Sequence, residues 1–262
     1  MAQYRIEKDS MGELKVPEAA AWGAQTQRAV ENFPISGITM PQGFIQALGL
    51  VKQACANANH ELGYLDENRR RAISSICDDI IDGKLMDQFP VDVFQTGSAT
   101  SSNMNANEVI ANLASRQAQD DVHPNDHVNM SQSSNDVVPT AIHVSAAIAC
   151  QRQLLPSLSR LITSIEDKAE SVSSVVTTGR THLMDAMPVS LGQILGGWAA
   201  QLRAARQAIE RSLEAMYGLA IGGTAVGTGI NAHERFGELV AAQLSNATGL
   251  EFTVADNRFA AL

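Results

Sequence analysis

Cysteine is scarce in this chain: Cys55, Cys77 and Cys150 are the only three, far apart and in neither a CxxC nor a Cys/His spacing. A disulfide framework and a zinc site are therefore not suggested, and the thiols read as reduced and partly buried. Aromatic residues are also few, at 5%. Alternating apolar and polar segments are rare while Ala, Ile, Leu and Gln are frequent, which favours a mostly helical protein. Positive charge is in deficit, with 19 Lys and Arg against 28 Asp and Glu, a net charge of -9 and a pI of about 5.1. Like-charge repulsion then argues against a broad surface for nucleic acid or anionic lipid, so an anionic ligand has to be held by a local pocket. No apolar run reaches the roughly 18 residues of a membrane span. The amino terminus, MAQYRIEKDSMGEL, lacks the apolar run of a signal peptide and the Arg/Ser-rich, acid-poor character of a transit peptide. The expected location is cytoplasmic, without membrane or nucleic-acid partners.

What the chain does contain is ample apolar material, 45% of 262 residues, enough for one large or two smaller domains. The first forty residues are the exception to the helical pattern: Gly and Pro recur there, and the segment around Trp22 to Asn32 reads as loop with short extended or helical pieces. From Pro41 the spacing predicts a helix carrying Ile45, Leu48, Val51, Ala54 and Ala58 and stopping at Gly63. Asp66 is placed to cap a second helix through Ile73, Ile76, Ile80 and Ile81 to Gly83, and a third is expected from about Asn103 to Ala118. Between Val138 and Val176 the residues Leu155, Leu158, Ile162, Ile165, Ala169, Val172 and Val176 recur at alternating spacings of three and four. The same seven-residue repeat returns after Pro188 in Leu191, Leu195, Trp198, Leu202, Ala205 and Ile209, so two long helices should pack along coiled-coil-like stripes. Pro156 is a candidate bend. The short linker around Gly179 to His182 fits a turn between antiparallel helices. The expected division falls near Ser131: a small mixed helical domain over residues 1–131, then part of a long-helix bundle over 132–262. Two striped helices leave apolar surface for more chain or other subunits to cover.

Three segments break the helical pattern with hydroxyls and amides: TGSATSSNMN from Thr96, HPNDHVNMSQSSND from His123, and GRTHLMDAMP from Gly179. The first two precede helices, whose free N–H groups and positive dipole ends suit anions, so Ser98, Thr100, Ser133, Ser134 and Asn135 could hold carboxylates. Plain helix capping explains any one cluster by itself. Capping needs one side chain per helix, however, whereas a small dianion bound by neutral donors needs several such segments to converge. His182 is a candidate acid or base, with the Thr181 hydroxyl beside it, although a lone turn histidine is commonly a surface residue. His123, Asp126 and His127 have a loosely metal-like spacing, but Pro124 disfavours the regular helix that would align them. The run IGGTAVGTG, Ile221 to Gly229, lacks the GK[ST] ending of a phosphate loop and reads as a tight turn or a close backbone approach.

Taken in order, DSMGELKVP, WGAQTQRAVENF, TGSATSSNMN, SQSSND, GRTHLMDAMP, IGGTAVGTGIN and NRFAAL resemble the fumarase/aspartase superfamily over nearly the whole chain. Within it, His182 in GRTHLMDAMP resembles class II fumarase, since aspartases typically carry glutamine there. Ala99 departs from the glycine common at its position. The resemblance implies a mainly α fumarase/aspartase-like fold and dicarboxylate contacts from Ser98, Thr100, Ser133, Ser134, Asn135 and Thr181. It implies proton transfer by His182 and an accessory dicarboxylate site around His123, Asn125 and Asp126. It also implies a homotetramer with sites shared among subunits, and hydration of fumarate to malate with neither metal nor iron-sulfur cluster. The family's mobile loop, of pattern GSSxMPxKxN, supplies a base and a lysine, and no segment here matches it. The chain is therefore expected to have little activity alone. A noncatalytic dicarboxylate-binding or assembly paralogue, and another superfamily lyase such as aspartase, stay open as alternatives.

Overall fold

The computed structural model describes residues 3–9 and 11–262. These form two compact units, one made of the chain up to Ser145 together with Tyr217–Leu262, the other of Ala146–Met216. The expected division at residue 131 thus falls inside the first unit. Chain that returns after residue 216 completes that unit, a long-range contact that no local composition change announces.

The first unit opens with an antiparallel hairpin of β1 (Tyr4–Asp9) and β2 (Gly12–Pro17), paired from Tyr4–Pro17 to Asp9–Gly12. The sequence reading set these residues apart from the helical pattern without assigning them an element. Arg28 of α1 (Ala24–Asn32) clasps Asp9 through two bonds of 2.7 and 2.9 Å, fixing the hairpin to the first helix.

Three helices follow the expected pattern closely. α2 (Gln42–Glu61) and α3 (Glu67–Ile81) are followed by Gly63 and Gly83, both at φ +78°, which end the helices as the sequence implied. Asp66 caps α3, accepting from Arg69 N at 3.0 Å. α4 (Thr100–Ala118) packs on α3 and α1 and contributes Val109, Ile110, Ala111 and Ala114 to the core. A widened turn at Pro124–Val128 leads toward α5 (Ser134–Ala149). Late in the chain α8 (Phe236–Thr248) packs on α2.

The second unit contains a widened helical turn at Cys150–Leu154, then α6 (Leu155–Ser171), β3 (Val176–Thr181), β4 (Met184–Ser190) and α7 (Leu191–Met216). The irregularity lies just before Pro156. A proline there cannot donate to residue 152 and its ring crowds that carbonyl, and Leu155 N instead reaches back five residues to Cys150 O. α6 packs along α7, burying Leu155 and Ile162 on one side and Ala199 and Leu213 on the other. Trp198, placed by the repeat in the stripe, is 55% exposed and its neighbour Ala199 is buried instead. Val172 lies just past the end of α6 and Val176 begins a strand, so the helical stripe is shorter than predicted. The presumed interhelical turn is a β-hairpin, β3 pairing with β4 from Val176–Ser190 to Thr181–Met184. β-branched Val176, Thr177, Thr178 and Thr181 favour the extended form over a simple helix–helix turn.

Back in the first unit, β5 (Gly218–Leu219) pairs in parallel with β6 (Thr253–Val254), and α9 (Arg258–Ala261) ends the described chain. Among the described residues no helix is long and apolar enough to cross a membrane.

Candidate active site

Two of the three polar clusters meet in the first unit, at the N-terminal ends of α4 and α5. Ahead of α4 the chain turns through Ala99, whose φ of 49° is left-handed. That conformation costs an L residue about 1 to 2 kcal/mol and gives the backbone reason for glycine at this position in the resembled family. The orphan N–H groups of α4 are met by residues outside the expected ligand set: Ser102 N donates to Gln95 Oε1 at 2.9 Å and Ser101 N to Thr96 Oγ1 at 3.3 Å. The Ser98 and Thr100 hydroxyls instead bond to each other at 2.7 Å, on the exposed end of the turn.

At α5 the capping bonds come from Ser133 and Asp136. Ser133 is the cap: its hydroxyl accepts from Asn135 N at 3.2 Å, while Asp136 Oδ1 accepts from Ser133 N at 2.9 Å in the reciprocal manner of a capping box. The second oxygen of Asp136 accepts from Gly222 N at 3.1 Å and Thr224 N at 2.9 Å. Burial pushes this carboxyl up from its ordinary value, against the opposing pull of those three N–H bonds. The glycine-rich run is therefore a close backbone approach, as its composition suggested. Gly222 has φ +86° and a Cβ there would lie 2.9 Å from Gly237 Cα. Asn135 reaches the same run, donating to Ala225 O at 2.7 Å.

The bond that joins the two helix ends comes from Asn103, which donates to Ser134 Oγ at 3.0 Å. Asn103 lies three residues after Thr100, on the same face of α4. Asn103 Nδ2 also donates to Asn129 Oδ1 at 3.2 Å, and that oxygen accepts from Lys52 Nζ at 2.9 Å. Lys52, on α2, is fully buried, and burial holds its ammonium down at about 8. Lys52, Asn103, Asn129, Gln132 and Asp136 were not among the candidate ligands read from sequence. One available signal was a lone cation on the core-facing side of α2, four residues after Leu48 and three before Cys55. Chemically, the arrangement offers two positive helix ends and several uncharged donors, which suits a small anion.

The remaining candidates sit elsewhere. Thr181 and His182 belong to the second unit, at the tip of its hairpin, and both are exposed. His182 and Leu183 form the two-residue turn with φ of 51° and 62°, values for which Asn and Gly are the usual choice. Such strained turns cluster at functional positions.

His123, Asn125 and Asp126 surround the widened turn after α4. His123 Nδ1 accepts from Asn125 N at 3.3 Å and Asp126 N at 3.1 Å. His127 Nδ1 accepts from His123 N at 2.8 Å. With Nδ1 of each ring accepting from a backbone N–H, a neutral ring carries its proton on Nε2. His123 and Asn125 border a cleft of about 430 Å³ whose other wall includes Lys8, Gln25 and Glu108.

The comparisons with known proteins agree with one another. The family model described as lyase matches residues 12–262. Fumarate hydratase class II 2 of Pseudomonas aeruginosa is 57% identical over 260 residues, which is 99% of this chain and 57% of that protein. Fumarate hydratase class II of Thermus aquaticus is 54% identical over 267 residues, covering 99% of this chain and 57% of its own. Among solved structures, recombinant class II fumarase from Schistosoma mansoni matches with a TM-score of 0.95 at 38% identity, over 99% of this chain and 59% of that one. The 3-carboxy-cis,cis-muconate lactonizing enzyme from Pseudomonas putida, at 19% identity and a TM-score of 0.64, shares the fold alone, over 89% of this chain and 48% of its own. The chain spans little more than half the length of the curated relatives it matches.

Proposed function

The chain belongs to the lyase family and is a homologue of the class II fumarases, and from that premise we propose that it serves the reversible, stereospecific hydration of fumarate to L-malate without a metal. The observation that carries this reading is the division of labour at α4 and α5. Gln95, Thr96 and Ser133 do the capping, and Asn103 ties the two helix ends together. Ser98, Thr100, Ser134 and Asn135 are then the donors for a dicarboxylate, with Thr181 as a further contact.

In the dehydration direction a base removes the proton next to one carboxylate, and its electron pair spreads into that carboxylate as an aci-carboxylate. Hydroxide departs from the neighbouring carbon with a proton delivered to it, giving water and the double bond. Extra negative charge on the aci-carboxylate is the costly feature, and fixed N–H and O–H dipoles stabilise it without reorganising. His182 takes part in proton transfer at the water or hydroxyl, which an imidazole suits near neutral pH. The turn of His123, Asn125 and Asp126, of which the first two border the cleft, is the proposed accessory dicarboxylate site. A homotetramer in the cytoplasm is the proposed working form.

The second, alternative reading is a noncatalytic dicarboxylate-binding or assembly protein, which would be indifferent to the family's GSSxMPxKxN loop. His182, in place of glutamine, disfavours aspartase. The test is loss of fumarate absorbance with the purified chain, before and after adding a separately expressed carboxy-terminal segment that carries that loop. Turnover on addition is expected. Dicarboxylate binding without turnover in either case supports the second reading, and neither binding nor turnover overturns both.

A further inference from the structure

Lys52 is an expensive residue to bury. It is 0% exposed, between Leu48 and Cys55 of the same helix face, where an apolar side chain would pack at less cost. Among the described residues no carboxylate forms an ion pair with it. Its two bonds go to amide oxygens, Asn129 Oδ1 at 2.9 Å and Gln132 Oε1 at 2.8 Å.

Both amides have their orientation fixed from the other end. Gln132 Nε2 donates to Val128 O at 2.9 Å and Met130 O at 3.0 Å, and Asn129 Nδ2 to Gln132 O at 3.4 Å. With Lys52 able only to donate, Asn129 must turn its oxygen inward. That oxygen in turn demands an N–H from Asn103, at 3.2 Å. The second N–H of the same Asn103 amide then faces Ser134 Oγ at 3.0 Å. A reversed Asn103 would set its oxygen against Asn129 Oδ1 and would consume the Ser134 proton. In the orientation observed, Asn103 Oδ1 is buried without a partner, a cost consistent with an orientation imposed by its neighbours.

We infer that Lys52 is a positioning residue for the site at α4 and α5: through Asn129 and Asn103 it makes Ser134 a hydrogen-bond acceptor toward the protein, leaving the Ser134 proton for a bound carboxylate. The inference rests on the dicarboxylate reading for its ligand, but the polarity of the chain of bonds can be tested without one. Lys52→Met replaces the four-carbon stem with an unbranched one of similar length and removes the donor, so Asn129 and Asn103 are free to reverse.

The experiment is calorimetric titration of the whole chain with succinate, an unreactive dicarboxylate, for wild type, Lys52→Met, Ser134→Ala and the double variant. A donor to a carboxylate is worth about tenfold or more in affinity. Each single variant is expected to lose that factor and the double variant to lose little beyond it, since both remove the same proton. Multiplicative losses would overturn the inference, because a merely structural lysine has no reason to share its effect with Ser134. Should Lys52→Met not fold, Asn129→Leu breaks the same link and is expected to show the same coupling.

If wild type does not bind succinate, it is the dicarboxylate reading that fails. Side-chain amide resonances of asparagine-labelled protein then judge the relay alone. Protected Asn103 amide protons close to Ser134 in wild type, lost on breaking the link at Lys52 or Asn129, support it. Unchanged Asn103 signals overturn it.

Discussion

Replacing Glu108 by glutamine should destabilise the first unit sharply, although it alters one atom. Glu108, 6% exposed, sends its carboxylate from α4 to the N-terminal end of α1. Oε2 accepts from Gly23 N at 2.9 Å and Thr26 N at 3.0 Å, and Oε1 from Gln25 N at 2.9 Å. A glutamine has a single acceptor oxygen. In its better orientation that oxygen keeps Gly23 and Thr26, and its NH2 then confronts the Gln25 N–H, donor against donor. One partly buried amide is left unsatisfied, at about 1 to 3 kcal/mol. Loss of the anion from the helix end adds about 1 kcal/mol more. A total of roughly 2 to 4 kcal/mol is expected, against the 5 to 15 kcal/mol typical of a folded domain. The assay is urea unfolding of Glu108→Gln at neutral pH, with the slope compared to wild type, joined to amide hydrogen exchange at positions 23, 25 and 26. Gln25 should lose protection most, because only its partner oxygen is gone. A stability change below about 0.5 kcal/mol with all three amides still protected would refute the reasoning. Gly23→Ala gives a steric check, since the added Cβ would lie 2.9 Å from Glu108 Oε1 and must displace it.

Asp136→Ala should cost about 3 kcal/mol or more, because it strips partners from three backbone N–H groups, and exchange should rise at Gly222 and Thr224 together with Ser133; protection surviving at all three would show that other acceptors serve them. Lys52, held down to about 8 from 10.5, is bound to its proton more weakly in the folded chain than in the unfolded one, so its burial penalty is fully present below pH 8 and is relieved as pH rises toward 10.5, by about 3 kcal/mol in all. Cys55 and Cys77, pushed up by burial, act in the opposite direction above pH 9, so the quantity to follow is the stability of wild type minus that of Lys52→Met, which should rise across this window; parallel curves would refute it.

Much of the helical framework is local and was legible. Gly63, Asp66 and Gly83 mark helix ends through backbone conformation and a single side-chain bond, and each does so here. The polar clusters were legible as helix starts for the same reason, since hydroxyls and amides there cap free N–H groups. What could not be read was which of them are spent on capping. Thr96 and Ser133 look no different in sequence from Ser98 and Ser134, and only the placement of Gln95, Asn103 and Asp136 separates them. The β3–β4 hairpin was missed because its glycine and flanking helices also fit a short helical turn.

The sequence by itself determined the family and the helix ends at Gly63, Asp66 and Gly83. These depend on residue type and short spacing. Only the tertiary structure decided that chain from beyond residue 216 completes the first unit, that Asp136 grips the glycine-rich run, and that a lysine in the core bonds Asn129. Each of these joins residues some 75 or more positions apart. Their pairing is set by packing and by the need to satisfy buried polar atoms, which no window along the chain contains.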